Sequence, residues 1–408
     1  MKTLFSTLAV ALTAGALTAR PVITDVALVN ENDRNKNVVV TYTLADEDAI
    51  VTAAFTADDM SIPPAATTNL TGDVNARVGV GVRRFVWPVR AAFPQTVLKN
   101  LKVHLTARSV GQPPAYVAFD LTGRDRPRYY VSDDAVPGGV LSRTYKTDKL
   151  LMRRIPAAGV EAKLGDVTGA RASECPMRLV SFTEDYYIGV FELTAGQCAW
   201  MKGKPMSEAD EESAVKPTIN DPSSTWEALR GKGFSWPAVA DGQTSAHAVD
   251  ATSLLGKLRT SQGYAFDLPT DAQWEFAARA GQRTDYPGAD ASSLLECGWY
   301  KDETNDVVEV GLKRPNGFGL YDMGGNALEH VLDLYGTSAE TPAYGSRQTD
   351  PVGPTTPDEK CYRTRRGGSC GQTCVEGFAK VYARIPYGFD NWAALTAPRL
   401  VCPVCPIE

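Results

Sequence analysis

Two pairs of cysteines have the spacing that could do chemistry. Cys370 and Cys374 follow directly on Arg366-Gly-Gly-Ser369, and Cys402-Pro-Val-Cys405 lies near the end of the chain. A Cys-x-x-Cys has the spacing of a dithiol redox motif. The structural alternative is a disulfide or two buried thiols. The second pair stands outside a strand-to-helix context and reads as a pin for the tail. Other chemistry is absent from the pattern. There is no phosphate-cradling glycine loop with a following lysine and no Gly-x-Ser-x-Gly elbow. The acidic run Glu208–Glu212 reads as a solvated loop. His104 falls in a strand pattern and reads as a packing or surface residue.

Which chemistry the cysteines serve depends on compartment. Residues 1–19 read as a secretory signal: Lys2 supplies the charge, Leu4–Leu17 is uncharged and rich in Leu and Ala, and Arg20-Pro21 breaks the segment. Export places all eight cysteines in an oxidising compartment and permits up to four disulfides, with connectivity open. No later stretch approaches a transmembrane length. A net charge of −6 over 408 residues lacks the basic face that nucleic acid requires and disfavours an anionic membrane surface.

The elements that must position these residues fall into two regions. Residues 20–122 contain no cysteine and read as six or seven short strands. Candidates run over Val22–Val29, Asn37–Leu44, Ala49–Phe55, Ala76–Val89, Leu98–Ser109 and Ala115–Leu121, with turn residues between them. That spacing predicts a β-sandwich of immunoglobulin or fibronectin type. Residues 123–149 are polar and turn-rich and read as a linker. Residues 150–408 carry six of the seven tryptophans, all the cysteines and long irregular stretches, an α+β texture. Thr270 and Gln273 form a capping-box pattern that starts a helix over Asp271–Ala280, which Gly281 ends. A second helix is predicted across Ala248–Leu258.

Four blocks of this second region, in order, resemble the formylglycine-generating enzyme (sulfatase-modifying factor) family. They are Tyr187-Ile-Gly-Val-Phe-Glu-Leu-Thr194, Phe266–Gly281, Pro315–Asp333 with its Asp322-Met-Gly-Gly-Asn326 core, and Arg366-Gly-Gly-Ser369 followed by Pro398-Arg-Leu-Val401. The resemblance spans about 230 residues. It implies a large irregular fold related to the C-type lectins. It also implies a structural calcium, held by Asp322 and Glu329 with the backbone carbonyls of Gly325 and Ala327, an oxygen-rich set suited to a hard cation.

The catalytic analogy departs from the family. The resemblance puts a copper-binding cysteine pair three and then five residues beyond the serine, at positions held here by Gln372 and Gly377. A shifted site would use Cys370 and Cys374 beside Ser369 to convert a protein cysteine to formylglycine. A three-histidine iron site, as in a related branch, is excluded by count, because only His247 and His330 lie in this region. The competing expectation is a ligand-binding surface after Gly-Gly-Ser, built on Phe378, Tyr382, Tyr387, Phe389 and Trp392, for a protein or carbohydrate at the exported surface. The closing Ala397-Pro398-Arg399 also departs from the family's Gly-Phe-Arg. The sequence therefore favours a secreted binding protein or catalytically altered relative over an oxidising enzyme.

Overall fold

The computed structural model describes residues 20–30, 37–166, 176–207, 210–219, 229–230, 248–288, 290–335, 346–353, 363–372, 378–387 and 395–407. The expected signal segment lies outside them. Two parts are evident: an N-terminal β-sheet region and a C-terminal α+β domain.

In the N-terminal part, alternation of apolar residues produces two antiparallel sheets. One runs in the order Val22–Asn30, Val38–Ala45, Gly81–Trp87, Thr71–Gly72. The other is centred on Ala49–Ala57, which pairs over Ala49–Thr56 with Lys102–Ser109 and at its ends with Met60–Ser61 and Ala76–Val78. Val38, Val40, Tyr42, Phe55, Phe85 and Trp87 fill one core between them. The Phe55 and Trp87 rings sit 4.5 Å apart, close enough for direct ring packing. The run predicted as one strand over Ala76–Val89 is two, Ala76–Val78 and Gly81–Trp87, because the chain crosses from one sheet to the other at Gly79-Val80.

Tyr116–Asp120, expected as the last of the N-terminal strands, instead pairs with Lys149–Ile155. These two form a five-stranded sheet in the order Arg128–Tyr130, Tyr116–Asp120, Lys149–Ile155, Tyr186–Gly189, Val401–Pro403. Tyr116–Asp120 is buried along its whole length, which is why its sequence shows no polar alternation. A second sheet orders Ile385–Tyr387, Arg363–Arg366, Leu328–Leu334 and Thr396–Pro398. A third carries Glu161–Leu164, Arg178–Ser181 and Arg347–Thr349.

The helix Asp271–Arg279 forms with the predicted capping box. The Thr270 side chain accepts from the Gln273 N–H, and the Gln273 side chain accepts from the Thr270 N–H. Ala280 in the left-handed region and Gly281 then end it. The second predicted helix lies a turn later, at Leu254–Gln262, because Ser253 rather than an earlier residue caps its N–H groups. Trp274, Ala277 and Ala278 of the first helix enter the core that holds Ile188, Val331 and Val401. No helix among the described residues is long and apolar enough to cross a membrane.

The expected disulfides are not found. Among the described residues no disulfide is formed, and Cys198, Cys297, Cys370, Cys402 and Cys405 stand as thiols. Their surroundings explain this. Cys402 Sγ rests on Met152 Sδ at 3.8 Å, Cys297 Sγ turns to the Gly288 carbonyl, and Cys370 sits among Val307, Ala327 and Ala397. Cys175, Cys361 and Cys374 lie outside the described residues.

Candidate functional site

The four sequence blocks converge on one buried polar cluster. Arg399, from the closing segment, is wholly buried between the opening strand and the glycine-rich turn. Its Nη1 donates to the carbonyls of Gly189 (3.0 Å) and Val190 (3.1 Å). Its Nη2 donates to the Tyr321 carbonyl (2.8 Å) and to Glu329 Oε1 (2.6 Å), and its Nε reaches both Glu329 oxygens at 2.9 Å. The planar guanidinium fork matches a carboxylate in this bidentate way, which a lysine could not do. Trp274 Nε1 donates the remaining bond to Glu329 Oε2 at 2.6 Å.

A second carboxylate, Glu192, positions the turn that follows. Its Oε1 accepts from the Ala327 N–H (2.9 Å) and its Oε2 from Asn326 Nδ2 (2.8 Å). Asn326 in turn accepts from the Val308 N–H through its side chain and from the Cys370 N–H through its carbonyl, both at 3.0 Å. The turn is tight: a Cβ on Gly325, which has φ +76°, would lie 2.2 Å from the Trp299 carbonyl oxygen. The third carboxylate, Asp322, accepts from the Gly311 N–H at 2.6 Å.

Three buried carboxylates thus face one guanidinium. A low-dielectric site cannot hold all three ionised. Burial pushes the Glu192 carboxyl well above its usual range, with the Asp322 and Glu329 charges adding to it and Arg399 opposing. Asp322 is raised to about 6, again chiefly by burial. A neighbouring network is richer in cations. Asp271 meets Arg366 at 2.6 Å, Arg178 at 3.1 Å and Arg384 at 3.6 Å, and Glu275 meets Arg279 at 2.8 Å. Despite its burial, these three arginines hold the Asp271 carboxyl well below the usual range. Asp333 accepts the Asp271 N–H at 2.6 Å, and burial with the Asp271 charge raises it to about 7.

The expected calcium site is overturned. Among the described residues no group of three or more His, Cys, Asp or Glu side chains could hold a metal ion. Both oxygens of Glu329 are taken by Arg399 and Trp274, and Asp322 Oδ2 accepts from Gly311, which leaves only Asp322 Oδ1 of the two carboxylates without a hydrogen bond. Glu329 therefore serves the protein's own hydrogen bonding rather than a cation. The same finding argues against a copper(I) site among the described residues; Cys374, the second ligand of the shifted site, lies outside them.

The remaining candidates are dispersed. Ser369 is buried, and its Oγ accepts from the Gly371 N–H at 3.3 Å. Cys370 is fully buried, and burial followed by the Glu192 and Asp306 charges raises its thiol to about 12. A thiol so placed stays protonated and unreactive. Tyr382 is buried in the core beside Trp274 and Val381. Phe378 is half-buried. Tyr387 ends the strand Ile385–Tyr387. Cys374, Phe389 and Trp392 lie outside the described residues. Sequence reasoning missed the roles of Glu192, Asn326 and Arg399, although each lies in a quoted block. The available signal was a charged or amide residue set among glycines and apolar neighbours.

An open cleft of 580 Å³ adjoins this cluster, lined by Arg143, Glu211, Glu212, Val215, Lys216, Val308 and Glu309. Its charges are mutually satisfied. Lys216 pairs with Glu212 at 3.1 Å, the buried Lys146 pairs with Glu309 at 2.8 Å, and Arg143 donates to the Glu211 carbonyl at 2.7 Å.

Comparison with known proteins places this geometry. The family model described as the sulfatase-modifying factor enzyme 1-like domain matches residues 152–386. The chain is 25% identical over 224 residues to a serine/threonine-protein kinase pkn1 of Chlamydia pneumoniae, covering 55% of this chain and 34% of that protein. It is 28% identical over 195 residues to the formylglycine-generating enzyme of Thermomonospora curvata, covering 44% of this chain and 61% of that protein. It thus spans about a third of that kinase's length and less than two-thirds of that enzyme's. Among solved structures, Treponema denticola variable protein 1 superposes with a TM-score of 0.47 at 22% identity, over 62% of this chain and 95% of that one. Because the family match covers more than half of the 408 residues and contains the opening strand, the capped helix and the Gly-Gly-Asn turn, this chain belongs to the sulfatase-modifying factor (formylglycine-generating enzyme) family.

Proposed function

We propose that this protein is an exported member of the family that binds a protein or carbohydrate ligand and has lost the cysteine-oxidising chemistry of its formylglycine-generating relatives. The observation that carries the reading is the state of Cys370. It is fully buried among apolar side chains, with its thiol raised to about 12, beside a turn whose hydrogen bonds are internal. An oxidising site needs a thiolate that substrate can reach. Gln372 and Gly377, at the two positions where the family resemblance expects cysteines, support the same reading. Ser369 is assigned a structural role in the turn.

The ligand face is placed on the span after Gly-Gly-Ser, with Phe378, Tyr387, Phe389 and Trp392 as contacts. Tyr382 is reassigned to the scaffold because of its burial. Aromatic side chains on a loop-rich surface give large contact areas at small entropic cost.

The finer architecture is proposed with it: an immunoglobulin-like or fibronectin-like sandwich over residues 20–122, a connection over 123–149 and a C-type-lectin-related domain over 150–408. Two facing antiparallel sheets around one aromatic core support the sandwich. The pairing of Tyr116–Asp120 with Lys149–Ile155 argues for an earlier boundary, near residue 110. The leader at 1–19 supports export.

The test is direct. The intact protein is incubated in air with copper(I) and a cysteine peptide of sulfatase type, and the aldehyde product is sought by mass spectrometry. Peptide recovered unchanged is the expected result. Stoichiometric conversion abolished by Cys370→Ser would sink the proposal and restore the enzyme.

A further inference from the structure

A segment that reads as a polar connection fastens the two parts of the chain together. The N-terminal turn Gly72–Asn75 and the strand after it present a row of carbonyls outward. Such carbonyls need donors, from water or from protein. Here the protein supplies them. Arg126 Nη2 donates to the Gly72 carbonyl and to Asp73 Oδ1, both at 2.9 Å, and its Nη1 donates to the Arg77 carbonyl at 3.3 Å. Arg128 Nη1 donates to Gly72 (3.2 Å) and Val74 (3.1 Å). The Tyr129 N–H completes the row on the Asn75 carbonyl at 2.8 Å.

Each side of this contact is held in place by its own part. Asp125 grips Arg128 through Nε and Nη2 at 2.8 Å each. On the other side, Tyr42 donates its hydroxyl to the Asp73 carbonyl, and the Asn75 N–H returns to Val51 at 2.7 Å. Beneath the polar row the cores merge. Ile50, an N-terminal strand residue with 0% exposure, packs in the same cluster as Val117, Phe119 and Tyr129. Tyr129 and Tyr264 also share a hydrogen bond between their hydroxyls, tying this strand to the helix-bearing domain.

We infer that the Arg126–Tyr129 clasp on the carbonyl row of Gly72–Arg77 locks the N-terminal sheets to the family domain, so that the two parts move and unfold as one body. The N-terminal part is then a fixed arm that holds its surface in constant register with the family domain. It is not a module swinging on a tether. A flexible connection would leave these carbonyls to water and Ile50 exposed.

Native-state hydrogen exchange along a urea series tests this, using the intact chain. Two sets of amides are followed: the strand Ala49–Ala57 in the N-terminal part and the strand Lys149–Ile155 in the family domain. In the unmodified protein both sets are expected to lose protection at the same urea concentration. In Arg126→Ala/Arg128→Ala the N-terminal set is expected to lose protection first, giving two separate transitions. Asp125→Asn, which frees only the grip on Arg128, is the milder version if the double variant fails to fold, and should separate the two sets in the same order. Two transitions in the unmodified protein, or a single shared transition in a folded double variant or in Asp125→Asn, would overturn the inference.

Discussion

Replacing Arg399 by methionine removes the only cation in contact with Glu329 among the described residues while keeping most of the side-chain volume. The loss can be worked from the contacts. Glu329 loses a bidentate partner at 2.6–2.9 Å, and the carbonyls of Gly189, Val190 and Tyr321 lose their donors. Glu329, Glu192 and Asp322 are then three buried carboxyls with no neutralising guanidinium. Breaking a buried ion pair by removing one partner costs about 3–5 kcal/mol. Against a whole-domain stability of about 5–15 kcal/mol, that loss leaves the variant marginal or unfolded. Urea unfolding followed by tryptophan fluorescence should show the midpoint fall accordingly, and the fall should be smaller at pH 5 than at pH 8, because Glu192 and Asp322, both raised by burial, are protonated in acid. An unfolding free energy within about 1 kcal/mol of the unmodified protein's at pH 8 would refute the argument. It would mean that the carboxylates are neutralised by something other than Arg399.

Three further outcomes are expected. Thr270→Ala removes a side chain that caps the Gln273 N–H at 3.1 Å and should cost about 1 kcal/mol by the same urea assay. Asp333, raised to about 7 in the folded state, contributes stability that is complete below its unfolded value near 3.9 and is lost as pH rises through about 7. Asp333→Asn should therefore flatten the fall in thermal midpoint between pH 4 and pH 8, and an unchanged slope would contradict the assignment. Finally, iodoacetamide should alkylate the exposed Cys405 in the native protein, but reach Cys370 and Cys402 only on unfolding. Peptide mapping of the labelled protein reads this, and native labelling of Cys370 would remove the main support for a non-oxidising member.

The capped helix Asp271–Arg279 was legible because its signals are local. Thr270, Gln273 and Gly281 act within one or two turns of backbone, so spacing alone defines both ends. The strands Val38–Ala45 and Lys102–Ser109 were legible for a similar reason, since each buries one face and so alternates. Family membership was legible because the blocks are scaffold segments whose residue types are dictated by tight turns and close packing, as at Gly325.

Tertiary structure alone decided what the charged residues in those blocks do. Asp322 and Glu329 have the right chemistry for calcium, but coordination requires free oxygens. Only the folded chain brings Arg399, seventy positions away in sequence, onto Glu329. The cysteines followed the same logic. Their even number and an exported setting predict disulfides, yet bonding requires paired sulfurs, and Cys402, Cys297 and Cys370 face Met152, the Gly288 carbonyl and an apolar cluster. Tyr116–Asp120 could be recognised as a strand from its residues but not assigned to a part, because strand pairing is a long-range contact that local pattern does not encode. Backbone preference acts over a few residues and is written in the sequence; which buried charge meets which is settled only when distant segments share one low-dielectric core, where an unpaired charge is too costly to persist.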